Sequence, residues 1–329
     1  MGQHSGSRGL RKLSLALILI GTGWAATADG PSFVFEAYPP DVLASKQLYQ
    51  RHVALAGATM KYVPFYIIVP KLQRWVPGQV VRVAFNGGDN VLYEKIASVA
   101  NRWVLEAGIN LKLRFNDASG RYMSWTQNDA VYAAEIRIGF LTDARGGNWS
   151  HLGTDSINPN LVGGSPGQAS MNLQGFDRQL PYAWESTTLH EFGHALGFEH
   201  EHQNPAAGCD FRFEDDPGYR PTTDEEGWYK PDEAGRNPGL YTYLGGFANR
   251  WPREKVDANL KALPVSSAYL MGEFDNKSIM KYQFPAFGFR SGESSPCYTP
   301  MDTAQLSTGD VAGARRAYPH DADMVGKQI

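Results

Sequence analysis

The chain has 329 residues, 42% of them hydrophobic and 12% aromatic, with a formal net charge of −3. That length and apolar content can bury a sizeable core, in one large domain or two small lobes. With no basic excess, nucleic acid and anionic membrane surfaces are excluded as first choices of partner.

In chain order, Arg8, Arg11 and Lys12 precede an apolar run at 13–20, and Ala26-Thr27-Ala28 forms a small-x-small cleavage site. Residues 1–28 therefore read as a signal peptide. The run is far short of the ~20 residues a spanning helix needs. The mature chain is expected to be secreted, off the membrane and monomeric. Residues 29–74 have mixed composition with several prolines and read as a pro-segment or N-terminal extension. Residues 79–85 are rich in β-branched side chains and predict a strand. Asp89 or Asn90 caps a predicted helix with Leu92, Ile96, Val99 and Trp103 at helical spacing, ended by Gly108. Strands are predicted at 111–115 and 135–140, with shorter ones at 149–153 and 170–173. A helix rich in histidine follows.

Beyond Pro205, residues 209–245 are rich in Asp, Glu, Gly, Pro and Tyr and show no EF-hand spacing, so a solvated surface insertion is expected. A short helix is predicted at 252–263, and Ser307-Thr308-Gly309-Asp310 resembles a capping box opening a last helix to 318. This β-α-β-β pattern followed by helices predicts an α+β lobe and then a loop-rich C-terminal lobe. Cys209 and Cys297 are the only cysteines. In an exported chain they are expected to pair, two free thiols being the alternative.

The stretch TTLHEFGHALGFEHEHQNP, residues 187–205, carries the chemistry. Residues four apart on a helix share a face, so His190 and His194 point the same way. Glu191 sits one step round, close to anything a metal there would hold. Gly197 follows His194 by three and is suited to the left-handed geometry that ends a helix. A sharp turn there would bring His200 to the same centre. Three neutral nitrogen ligands with one open position are the signature of a catalytic zinc. An amphipathic helix with surface histidines would explain the apolar positions, but not the glycine and the third histidine. Downstream, Ser278-Ile279-Met280-Lys281-Tyr282 supplies a second element.

Together, HExxHxxGxxH and the methionine turn resemble the metzincin zinc peptidases. Glu201 after the third histidine, and Tyr282 two residues after Met280, are similar to the astacin-type branch. The resemblance covers 75–319, which reads as a zinc metallopeptidase catalytic domain, with 320–329 as a tail. It departs at His202-Gln203-Asn204-Pro205 and lacks the paired cysteines of animal astacins, as a divergent, microbial-type relative would.

The resemblance implies a zincin fold: a twisted, mainly parallel sheet with active-site and backing helices. It implies one catalytic zinc on His190, His194 and His200, and cleavage of protein or peptide substrates by a zinc-bound water that Glu191 activates as general base. Tyr282 would assist the oxyanion, and Met280 would floor the site. Trp149, Ser150, His151 and Leu152 would form the edge that binds substrate. Glu201 would meet the new N-terminus after a pro-segment is cut near Arg74. Astacins hold latency with an aspartate, and Asp41 is the candidate here. His202 reads as structural or substrate-side. The alternative function is a catalytically inactive zinc-containing binding or adhesion protein on the same fold.

Overall fold

The computed structural model describes residues 36, 38–55, 67–246, 249–300 and 304–320; the expected signal peptide, and all of the expected tail but His320, lie outside the described residues. In the first half, helix α1 (Pro40–Leu55) and strand β1 (Val69–Pro70) precede β2 (Val80–Phe85), α2 (Asn90–Ala100), α3 (Arg102–Leu105) and β3 (Lys112–Arg114). Next come β4 (Met123–Ser124), β5 (Ile136–Gly139), β6 (Trp149–Ser150), β7 (Met171–Asn172) and helix α4 (Trp184–Ala195). In the second half lie β8 (Thr222–Thr223), β9 (Tyr229–Lys230), α5 (Leu240–Gly245), α6 (Arg253–Leu260), β10 (Tyr269–Leu270) and α7 (Thr308–Ala317). No described helix is long and apolar enough to cross a membrane.

The main sheet runs β3-β2-β5-β7-β6, with β4 also paired to β2. Its pairs are parallel except β6 with β7, which is antiparallel and leaves β6 at the edge. The α+β, mainly parallel zincin architecture expected from the sequence is the one found. Val81, Val83 and Phe85 of β2 are buried against Ile96, Trp103 and the α4 side chains Leu189 and Phe192. Parallel neighbours need a crossover, and α2 supplies it between β2 and β3. Asp89 caps α2 through Leu92 N at 2.9 Å. The single helix expected from 90 to 107 is broken at Asn101, whose side-chain amide donates to Ala97 O at 2.9 Å.

Two features lay beyond periodicity. α1 has no clear apolar stripe, and β1 is only two residues long. Yet Ile67, Ile68 and Val69 are buried, and Val69 pairs with Leu270. A Cβ added at Gly313 of α7 would come within 2.8 Å of Ile67. Residues 67–70 are thus woven into the body.

The 209–245 region is only in part the solvated insertion expected. Phe211, Leu240, Tyr243 and Leu244 join Trp251, Phe284 and Phe289 in a second core. Cys209 and Cys297 are disulfide-bonded, with Cα atoms 5.3 Å apart and a sequence separation of 88. A loop of that length constrains the unfolded chain by ~4 kcal/mol. Reduction under native conditions is therefore expected to lower Tm by roughly 10 °C in a domain of this size, read by calorimetry with and without a reductant.

Candidate metal centre

α4 ends in a Schellman arrangement that aims the third histidine. Gly197 has φ +87°, its N–H donates to His194 O at 2.7 Å, and Phe198 N donates to Gly193 O at 2.9 Å. The last carbonyls are met from outside: Trp75 Nε1 donates to Ala195 O at 2.8 Å, and the Tyr318 hydroxyl donates to Leu196 O. Helix-end carbonyls left buried and unpaired would be costly, so these two aromatic side chains fix where the helix stops.

The outcome is a convergence of imidazoles. The Nε2 atoms of His190, His194 and His200 lie 3.1, 3.1 and 3.3 Å from one another. Nitrogens held tetrahedrally at ~2.0–2.1 Å from a zinc would be roughly 3.3 Å apart. Nδ1 of His190 faces Ile279 O at 2.8 Å, and Nδ1 of His194 faces Phe198 O at 2.6 Å. Each Nδ1–H donates to its carbonyl, leaving Nε2 as a lone pair for a metal. Burial also pushes His190 down to about 4, so it is neutral, as ligation demands. Three lone pairs packed this closely repel unless a cation sits between them, and the donor set suits zinc.

The methionine turn forms the floor. Met280 is fully buried, and Met280 O accepts from Glu201 N at 2.9 Å. The turn is pinned by Asp310 of α7, which accepts from Ser278 Oγ at 2.6 Å and Ile279 N at 2.9 Å. The same aspartate completes the capping box with Ser307. Where Met280 meets α4 the helix has Gly193, and a Cβ there would collide with the methionine sulfur. Gly193→Ala is expected to cost roughly 1–3 kcal/mol through overpacking, seen as a fall of several degrees in Tm.

A carboxylate from the N-terminal segment joins the three imidazoles. Glu36 Oε2 lies 2.9 Å from His200 Nε2 and 3.3 Å from His194 Nε2, and it accepts from the Tyr282 hydroxyl at 3.1 Å. Glu36 and the three histidines form a buried cluster able to hold a metal ion. Sequence reasoning considered Asp41 for this place. Asp41 instead accepts from Val42 N at 2.8 Å in the first turn of α1.

Other expected site residues fall as follows. Glu191 is wholly buried; burial, and then the charge of Glu36, push its carboxyl well above the ordinary range. The Tyr282 ring lies 4.4 Å from that of His200. Glu201 is not part of the convergent group, and accepts from Asn204 Nδ2 at 3.0 Å and Asp275 N at 3.2 Å. His202 is structural, with Nε2 at 2.7 Å from Asn259 O and Nδ1 accepting from Tyr282 N at 3.2 Å. Trp149 is a core residue, its Nε1 donating to Arg145 O at 3.0 Å. Ser150, His151 and Leu152 are buried too. The edge they form is covered by α1, whose Val42 and Leu43 pack with Trp149.

Fold and site together resemble those of the astacin-like metzincins, with a histidine cluster suited to zinc. A solved structure of myroilysin is similar to the chain at 25% identity, covering 77% of this chain and 99% of that one, with a TM-score of 0.55. A second myroilysin structure aligns at 22% identity over 75% and 86% of the two chains, with a TM-score of 0.45. High choriolytic enzyme 1, a hatching enzyme zinc-protease from the medaka fish Oryzias latipes, aligns at 16% identity over 79% and 97%, with a TM-score of 0.36. Only the first likeness is close enough to carry weight. No family model matches the chain, and no curated protein does.

Proposed function

We propose that the protein is a secreted zinc endopeptidase made in a latent form, with the segment bearing Glu36 and α1 as its inhibitor. One observation carries the peptidase reading: three convergent imidazole nitrogens with the buried Glu191 carboxyl one residue beyond the first of them. Bound zinc would supply Lewis acidity, making water acidic near neutral pH and polarising a carbonyl. Glu191 takes a proton from the attacking water and returns it to the leaving amine. The Tyr282 hydroxyl, released from Glu36, donates to the developing oxyanion. β6 pairs on one side only, so a peptide can add there as a further strand. A cavity of about 490 Å³ between α4 and the methionine turn, reached beside His190, gives room for a substrate side chain.

Secretion is supported by the signal-like N-terminus and by the disulfide. We set the cut upstream of Ile67, and not near Arg74 as expected from the sequence, a choice supported by the burial and pairing of residues 67–70.

A second reading has its own support. Three histidines closed by Glu36 make a four-ligand set, which is how structural zinc sites look. The test is digestion of unfolded casein by the full-length Glu36→Ala protein, before and after chelation and zinc return. Cleavage that vanishes with the metal and comes back with it supports the peptidase. A zinc-loaded Glu36→Ala protein that leaves casein intact favours the non-catalytic reading.

A further inference from the structure

The N-terminal segment makes a second deep ionic contact, away from the histidines. The Lys46 ammonium on α1 lies 2.8 Å from Glu199 Oε2, with the two side chains 5% and 0% exposed. It also sits 5.1 Å from the centre of the Tyr38 ring. A lysine is seldom buried so fully, and its charge is tolerated here because a carboxylate meets it. The pocket it fills leaves only about 20 Å³ unoccupied, and its body side consists of Gln73, Ser150, His151, Leu152, Asp155 and Glu199.

That wall is rich in acceptors. It brings two carboxyl groups, Glu199 and Asp155. Gln73 spends its amide nitrogen on Asp155, and its buried oxygen has no hydrogen-bond partner among the described residues. Burial, together with the charge of Glu199, pushes Asp155 up to about 6. Among the described residues, no lysine or arginine of the body lines the pocket. Glu199 is held in place after any departure of α1, since its own amide donates to Ile68 O at 2.9 Å. Losing Lys46 would leave the Glu199 carboxyl buried beside a vacated hole, where a new cation would restore the lost pairing and a proton would compete with it.

The position of the pocket says where that cation comes from. Ser150 ends the edge strand β6, His151 and Leu152 continue it, and Glu199 directly precedes the ligand His200. A peptide lying along this edge towards the metal passes over the pocket. We propose that the Glu199 pocket is a specificity subsite for a lysine or arginine side chain of the substrate, and that Lys46 is its stand-in in the latent chain. This rests on the peptidase reading above.

Two measurements on the full-length protein test it. The first needs no catalysis: melting of Lys46→Ala protein with butylammonium chloride, against equal sodium chloride. The amine is expected to raise Tm by several degrees in Lys46→Ala, and to do nothing in wild type or in Lys46→Ala/Glu199→Gln. Equal response of all three proteins would overturn the pocket. The second uses a peptide series in the Glu36→Ala/Lys46→Ala protein, with lysine, arginine or the neutral isostere norleucine placed at each position in turn. At one position the basic peptides are expected to be cut with kcat/KM at least about tenfold higher, the low end for a hydrogen-bonded charge. Adding Glu199→Gln should bring that ratio to near one. A ratio near one before that change, or one that survives it, sinks the subsite even if butylammonium binds. Failure to cut any peptide, norleucine series included, removes the subsite together with the peptidase reading; a failed subsite alone leaves the norleucine peptides cleaved.

Discussion

Replacing Glu191 with Gln in the Glu36→Ala protein is expected to lower casein cleavage by about 10²–10⁴-fold, the contribution of a positioned general base. Zinc content should not change. The Glu191 carboxyl is not one of the four groups whose ligand atoms converge, and Gln keeps its volume. Its environment makes the case specific. The side chain is fully buried one residue beyond His190. An amide in the same place can neither accept the proton nor deliver it. Loss of cleavage with stoichiometric zinc, measured by atomic emission, assigns the proton transfers to this residue. Retention of more than about a tenth of the activity would move the base elsewhere.

The second large effect is release of latency. Glu36→Ala is expected to raise the activity of the full-length chain by roughly 10- to 150-fold, the factor equivalent to about 1.5–3 kcal/mol for a charge-assisted hydrogen bond. Glu36 Oε2 is shared among His194, His200 and the Tyr282 hydroxyl, so one substitution removes all three contacts. α1 would remain, held by Lys46 on Glu199 and by packing on Trp149, and this limits the gain. Glu36→Asp tests reach: its shorter side chain should give intermediate activity. Equal activity of wild type and Glu36→Ala would mean that the segment does not govern access.

The histidine cluster was readable because its geometry is local. Two histidines a helical turn apart and a glycine with φ +87° are written within eleven residues, and the helix period does the rest. The sheet was readable for a similar reason: β2 and β5 are β-branched runs with turn residues around them. Glu36 was not readable, because its contact with His200 joins residues far apart in the chain and leaves no periodic trace. Composition could have narrowed the choice, since Asp29, Glu36 and Asp41 are the only acidic residues from 29 to 66. Asp41, beside two prolines, has the look of a helix start, and that is its use in α1. β1 escaped because two residues are too few for any alternation. Its existence depends on β10, which is equally short. The second core around Leu240 and Phe289 was hidden by the acidic turns that surround it in sequence.

On the proposed latent form, the tether between the covering segment and the body has a kinetic consequence. Because Glu36 and Lys46 are part of the same polypeptide as the groups they cover, their local concentration is fixed by the tether and not by how much protein is present. Diluting the latent form should never wake it. A single cut upstream of Ile67 turns that unimolecular closure into a bimolecular one, and the freed segment is then lost to the surrounding volume. Activation by such a cut would accordingly be slow to reverse in a dilute extracellular fluid, and quick to reverse in a crowded, confined one.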